Sequence, residues 1–323
     1  MIALAIVIGA LVTLALIVYV GIPEVLAAIA QSGWATAEVV LFHLVMLLIP
    51  AAAWRLLMDD RQPLWLVAFA RIVRESVNNL IPLAQIGGEV AGARLLSLWR
   101  MPATTAAASI IVDLTVETAA QIIFTAFGLG LLAAIGMDSA TLTSLALGLG
   151  IATALIVGFY VAQRRGLFRL LELLLNRLAA SSSWRSLGSL AGLHDQVVQI
   201  YGRTFRTIGA LGWHLAGWIV GAGEIWIAFQ ALGIELSPIQ AIAYESLVQA
   251  VRSAGFFIPM GLGIQEAGYV ASATLFGISP ELALTVALIK RARDLILGVP
   301  AILLWQLVEG RRTGLTPDSR GAE

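Results

Sequence analysis

The sequence predicts an all-α fold: a polytopic integral membrane helical bundle with six full spans and two proline-broken hairpins in an inverted repeat. Three observations predict it. The first is composition, with 59% of the 323 residues apolar, 12% charged and a mean hydropathy of +0.90. Soluble domains run near about 45–50% apolar and about 25% charged. The second is a series of apolar runs long enough to cross a bilayer core, which takes about 20 helical residues. The third is a proline–glutamate signature that occurs twice, each time within a stretch that hydropathy places in the membrane.

The first copy runs from Ser76 through Ile81-Pro82 to Gly87-Gly88-Glu89, and the second from Ser253 through Ile258-Pro259 to Gly261-Leu-Gly263-Ile-Gln-Glu266. Serine, isoleucine, proline and glutamate recur at one spacing, 177 residues apart. At the same offset Asp113 aligns with Lys290 and Glu117 with Asp294. Proline in a helix interior removes a backbone hydrogen bond and breaks the helix. Lipid tolerates such a break only where protein or a water-filled cavity covers it. Two broken segments at matching places in two halves point to a transport site at their interface.

Taken in order, spans are expected near residues 2–20, 35–57, 104–135, 141–162, 208–232 and 280–308, with hairpins over 63–100 and 238–277. The first run has no basic start and is too long for a cleavable signal, so it reads as a retained span. The whole chain, 1–323, reads as one transmembrane domain, with a first repeat over about 35–135 and a second over about 208–308. Residues 163–206 read as a cytoplasmic interfacial segment: Arg165, Arg169, Glu172 and Asn176 share one helical face, and Ser181-Ser-Ser183 marks a break.

Orientation follows arginine. Residues 163–206 carry Arg164, Arg165, Arg169, Arg177, Arg185, Arg203 and Arg206 against Glu172 and Asp195, whereas loops 21–34 and 136–140 carry no basic residue. Both termini are therefore expected in the cytoplasm. The first hairpin then enters from the cytoplasm and the second from the opposite face, so the two copies are expected to be inverted.

Composition also excludes. A net charge of zero and a pI near 6.9 argue against nucleic-acid binding. The lack of cysteine removes disulfides, thiolate catalysis and cysteine-ligated metals. His43, His194 and His214 show no metal-ligand spacing and read as core or interface residues, so neither metal nor cofactor is expected. There is no phosphate-binding loop, nucleophile elbow or triad pattern.

Charges inside spans cost at least about 2.5 kcal/mol each and ask for a reason. Lys290, Arg291, Arg293 and Asp294 lie mid-span, Asp113 and Glu117 share a helical face, and Arg71, Arg74, Glu75, Asn78 and Asn79 lie in the first hairpin. Glu245 and Arg252 lie in the second hairpin, and Glu224 is a lone acid in 208–232. Together they are expected to line a polar cavity; for any one of them the plain alternative is an ion pair that locks the bundle. Glu89 and Glu266 stand near the starts of the second half-helices, where capping by charge, headgroup contact and proton coupling all remain open.

At these residues the chain resembles the lysylphosphatidylglycerol synthase transmembrane region. Pro82, Gly88-Glu89, Arg94-Leu-Leu, Val112-Asp113 and Glu117 resemble its first half; Ile258-Pro259-Met-Gly261-Leu-Gly263-Ile-Gln-Glu266, Gly277 and Arg291 resemble its second. The similarity covers nearly the whole chain. The stretch from Gln85 to Leu96 is similar to members associated with bacterial hopanoid biosynthesis. The resemblance implies a region that flips a lipid between leaflets while a separate soluble domain performs aminoacyl transfer. No such soluble domain is read here, so aminoacyl-lipid synthesis by this chain alone is not expected.

The expectation is thus a bacterial inner-membrane protein that moves a polar-headgroup lipid, a phospholipid or a hopanoid-related lipid, with lipid-biosynthesis enzymes as candidate partners. Arg74, Arg252, Arg291 and Arg293 would contact an anionic headgroup, because guanidinium pairs phosphate bidentately. Asp113, Glu117 and Asp294 would balance the empty cavity or carry protons, and Lys290 would exchange partners with Asp113. Glu75, Asn78, Glu89 and Glu266 complete the polar lining, with Pro82, Gly87, Gly88, Pro259, Gly261 and Gly263 forming the breaks. A membrane-embedded lipid-modifying enzyme with Glu89 or Glu266 as general base, and a scaffold for lipid-synthesis enzymes, are the alternatives.

The arginine bias makes a direct prediction. In the otherwise cysteine-free chain, an Arg185→Cys variant should resist an impermeant thiol reagent in intact cells and react after permeabilisation. Labelling from outside would overturn the orientation.

Overall fold

The structure, a computed structural model, describes residues 30, 32–58, 62–81, 87–134, 136, 139–169, 192–254 and 263–313. The expected first span, the middle of the 163–206 segment, Pro82, Pro259 and Gly261 lie outside the described residues. Within them the chain is all helix: α1 (Ala35–Met46), α2 (Leu48–Leu56), α3 (Leu64–Leu80), α4 (Gly87–Leu98), α5 (Ala103–Ala134), α6 (Ser139–Arg164), α7 (Leu193–Gly202), α8 (Thr204–Ala231), α9 (Pro238–Ala254), α10 (Ile264–Leu275) and α11 (Pro280–Thr313).

Local chemistry sets the boundaries. Residues before proline avoid the helical region, and Ile81, which precedes Pro82, is extended at φ −115° and ψ 128°, ending α3. Both α9 and α11 open on Ser-Pro, with proline in the first turn where its missing N–H costs nothing. The Ser237 hydroxyl accepts from Gln240 N at 3.2 Å while Gln240 Oε1 accepts from Ser237 N at 2.9 Å, a reciprocal cap. The span expected over 35–57 is interrupted at Leu47, three residues before Pro50, so it forms two helices. Pro50 has no N–H to continue the ladder, which is a recognised cause of such a kink.

The helix order repeats along the chain. The run α3–α4–α5 has lengths of 17, 12 and 32 residues, and α9–α10–α11 has 17, 12 and 34. Gly87 and Ile264, which open α4 and α10, stand 177 residues apart, as do Ala103 and Pro280, which open α5 and α11. Packing crosses between the halves: α3 lies against α11, and α9 lies against α5, while α8 packs against α1, α2, α5 and α9.

Three helical segments, Ala35–Leu56, Ala103–Ala134 and Leu142–Arg164, are long and apolar enough to cross a bilayer. α8 and α11 match it in length at 28 and 34 residues but carry buried charged groups. α6 is the clearest lipid-facing element. Leu147, Ile151 and Leu155 are 64–69% exposed, and the apolar central window of that helix buries nothing. Such a surface is stable in lipid and costly in water. Apolar cores sit inside the bundle; Trp54, Leu66, Leu95 and Leu96 join α2, α3 and α4, while Phe229, Tyr244 and Tyr269 join α8, α9 and α10.

The crossed contacts depend on small residues. A Cβ added at Gly128 of α5 would lie 1.8 Å from Ser246 Oγ and 2.3 Å from Ser246 Cβ of α9. Since Cβ positions are fixed by backbone, the helices would have to separate. Gly128→Ala should therefore destabilise the protein by about 1–3 kcal/mol. Gly148→Ala on the open face of α6, with nothing within 4 Å, should be neutral or stabilising by up to about 1 kcal/mol. Equal unfolding midpoints for both variants in detergent would contradict the close α5–α9 contact.

Candidate functional site

The charged residues of the spans gather into two buried networks, both anchored on α8. His214 belongs to one and Glu224, ten residues further along, to the other. Ten residues of helix place their backbones about 15 Å apart along the bundle.

The first network joins α3, α4, α5 and α8. Asp113, fully buried on α5, accepts from Arg74 Nη1 at 2.8 Å and meets His214 Nε2 at 2.9 Å; Arg71 Nη1 is 3.5 Å away. Arg71 grips Glu117 through both terminal nitrogens. Arg74 also reaches Glu89 of α4, Nε to Oε2 at 2.8 Å, and its guanidinium stacks 4.6 Å from the Trp54 ring. Asn78 ties the hairpin shut: its Oδ1 accepts from Gly88 N at 2.9 Å, and its Nδ2 donates to Glu89 Oε1 at 3.1 Å. A Cβ at Gly88 would sit 2.2 Å from the Arg74 carbonyl oxygen, so this close approach of α3 and α4 requires glycine.

The second network joins α1, α8, α9 and α11. Arg293 donates to Glu224 and, through Nε and Nη2, to Asp294 Oδ1 at 3.1 and 2.6 Å. Lys290 lies 3.2 Å from Glu245 and 3.4 Å from Glu224, with Gln249 donating to Glu245 at 2.7 Å. His43 Nδ1 is 2.5 Å from Glu224 Oε1. Beside this network Glu266 Oε2 accepts from Gly263 N at 2.9 Å, capping α10, while Oε1 pairs with Arg291 at 2.6 Å. Gly263 holds φ at +76°, a conformation that favours glycine at this turn.

Where α1, α3 and α11 meet lies a small cleft with room for about one water molecule, lined by His43, Ile72, Glu75, Ser76, Asn79, Asp294, Leu297 and Gly298. Arg252 of α9 reaches Asn79 Oδ1 at 2.8 Å.

The sequence-predicted residues thus separate into groups. Arg74, Asn78, Glu89, Asp113 and Glu117 come together in the first network; Lys290, Arg293 and Asp294 in the second; Arg291 and Glu266 form a pair; Glu75 and Arg252 meet the cleft and its edge. Gly87 opens α4, and Gly88 and Gly263 shape the half-helix starts, as described. Lys290 and Asp113 occupy separate networks, and no ion pair joins them among the described residues. Each already has nearer partners: Asp113 the guanidiniums of its own half, Lys290 the acids of α8 and α9.

His43 and His214 join the networks although their spacing suggested core roles. Metal spacing was the wrong signal; their positions mid-span, away from both ends, were the right one. Donor atoms of Asp113, Glu117 and His214 lie within 4.8 Å of one another, a grouping able to reach one cation. Arg71 and Arg74 already occupy both carboxylates, and two guanidiniums at that point disfavour a metal ion.

At the C-terminal end of α6, Gln163 is buried, donating to Thr115 Oγ1 and accepting from Tyr201 Oη of α7, both at 2.8 Å. This relay pins α7 to α5 and α6. Burial pushes the Tyr201 phenol up to about 12, so it stays protonated and keeps donating.

The chain matches the lysylphosphatidylglycerol synthase TM region over residues 2–301. It belongs to that family. As a member of the lysylphosphatidylglycerol synthase TM family it is a membrane protein related to lipid handling. No characterised protein and no solved structure shows significant similarity to it.

The two networks predict a specific pattern of coupling. Asp113→Asn takes a buried carboxylate from Arg74 and His214, leaving Arg74 only Glu89, and should cost about 3–5 kcal/mol. Arg74→Met in the same chain should recover part of that loss. Lys290→Met should add to Asp113→Asn within about 0.5 kcal/mol, because the pairs share no partner. Strong coupling between Asp113 and Lys290 in unfolding measurements would contradict the separation.

Proposed function

We propose that this chain moves a polar-headgroup lipid, a phospholipid or a hopanoid-related lipid, between leaflets of a bacterial inner membrane. The observation that carries the reading is a pair of buried ion networks, with a small cleft partly walled by His43, Glu75, Asn79 and Asp294, inside a bundle that presents an apolar helix, α6, outward. Acyl chains can stay in lipid against surfaces such as α6 while a headgroup passes the polar interior. Irregular backbone at membrane depth is tolerated only beside protein or a cavity, and the sequence places Pro82 after α3 and Pro259 before α10. Membership of a lipid-handling family supports the same reading.

In this reading the two halves are inverted in the membrane, both termini are cytoplasmic, and the crossed packing of α3 on α11 and α9 on α5 forms the translocation interface. Arg252 is the best-placed arginine for a phosphate, since it sits at the cleft edge and donates to an amide oxygen. Arg74, Arg291 and Arg293 already hold carboxylates, so a headgroup would have to displace them. Glu89 and Glu266 hold the half-helices, a role distinct from general-base catalysis.

A leaflet-resolved assay in proteoliposomes with a panel of lipids tests the proposal. Protein-dependent movement of at least one lipid is expected, with Pro82→Ala and Pro259→Ala each reducing rate more than abundance. A new lipid product on mass spectrometry would support an enzyme instead. Unchanged rates in both proline variants would remove the hairpins from the mechanism.

A further inference from the structure

We propose that His43 is a proton-binding site at the wall of the cleft, and that its protonation controls the cleft through Glu75; this rests on the lipid-moving reading for its purpose, not for its chemistry. His43 is 4% exposed and lines the cleft, so one face of the ring meets protein and the other a cavity. The hydrogen-bond partners fix its protein-facing side. Nδ1 is 2.5 Å from Glu224 Oε1 and 3.0 Å from Arg293 Nη1. The Glu224 carboxylate can only accept and is the nearer partner, so Nδ1 carries hydrogen and donates to it; the Arg293 Nη1 approach is then a close contact rather than a second hydrogen bond, and Nε2 is left as the variable atom.

Nε2 faces Glu75 Oε1 of α3 at 3.7 Å, too long for a direct hydrogen bond. The Glu75 side chain is 31% exposed, so protons can reach this gap. A proton taken from water forms an N–H bond at Nε2, and the imidazolium then bridges Glu224 of α8 and Glu75 of α3. Release to water restores the lone pair and frees Glu75.

The surrounding charge favours such a site. Around His43 stand Glu224 of α8, Asp294, Lys290 and Arg293 of α11, Glu75 of α3, and Glu245 and Arg252 of α9. Arg71 of α3 also acts on Glu75, so the fixed charges balance; a protonated His43 still lies between two carboxylates, Glu224 at Nδ1 and Glu75 at Nε2. His214 also meets an acid-rich network, but it does not line the cleft. It serves as the comparison.

The chain has three histidines, so selective ¹⁵N-histidine labelling gives three imidazoles assignable by single His→Gln variants. Over about pH 5 to 9 the full-length protein in detergent should show His43 Nε2 changing protonation. Glu75→Gln should alter the pH response of that signal. A His43 signal that stays constant across the range, or is unmoved by Glu75→Gln, would overturn the site. In proteoliposomes carrying a transported lipid, a pH gradient should change the wild-type rate severalfold and leave the His43→Gln rate unchanged. A pH-insensitive wild-type rate would overturn the coupling. Absence of transport for every lipid would defeat the lipid-moving reading alone, and the spectra would still decide the proton site.

Discussion

The whole interior depends on one constraint: a charge withdrawn from water must find a partner within a few ångströms. Desolvating an ion in a protein interior costs several kcal/mol, and removing one member of a buried pair strands the other. Asp113, Glu224, Lys290, Arg74 and Arg293 are all buried to within 7% exposure. Each can remain there only because helices distant in sequence deliver its counterions. His43 meets Glu224 across 181 residues, and Arg293 meets His43 across 250. The apolar packing between helices is weakly directional in lipid, where tails are as apolar as leucine. Ion networks supply the direction, fixing which helix faces which.

That constraint also explains what was legible in the sequence and what was not. Helix boundaries were readable because proline and glycine act locally: Pro82 forces Ile81 out of the helical region, and Ser-Pro opens α9 and α11. The polar cluster was readable because charges inside apolar runs need an explanation. Partner identity was not, since pairing is a three-dimensional fact. The shared spacing aligns Asp113 with Lys290 but says nothing of which partner each one meets. Asp113 finds Arg74, and Lys290 finds Glu245. The histidines were missed for a related reason: a ring at mid-span reveals nothing until the acid opposite it is known.

The recurrent backbone carries different side-chain logic in its two copies. In the first, Glu89 at the start of α4 pairs with Arg74 of α3, the other arm of its own hairpin. In the second, Glu266 at the start of α10 pairs with Arg291 of α11, the long helix that follows. The same glutamate therefore holds its half-helix to different bodies. Moving α4 relative to α5 can leave the Glu89 pair intact, because both partners travel with the hairpin. Moving α10 relative to α11 must break the Glu266 pair and expose Arg291, which is 2% exposed in place. The first hairpin is nonetheless held to α5 through α3, by Arg74–Asp113 and Arg71–Glu117, whereas in the second copy the half-helix itself is held to the long helix by Glu266–Arg291. A bundle built on a repeated plan becomes directional through which arginine each glutamate reaches.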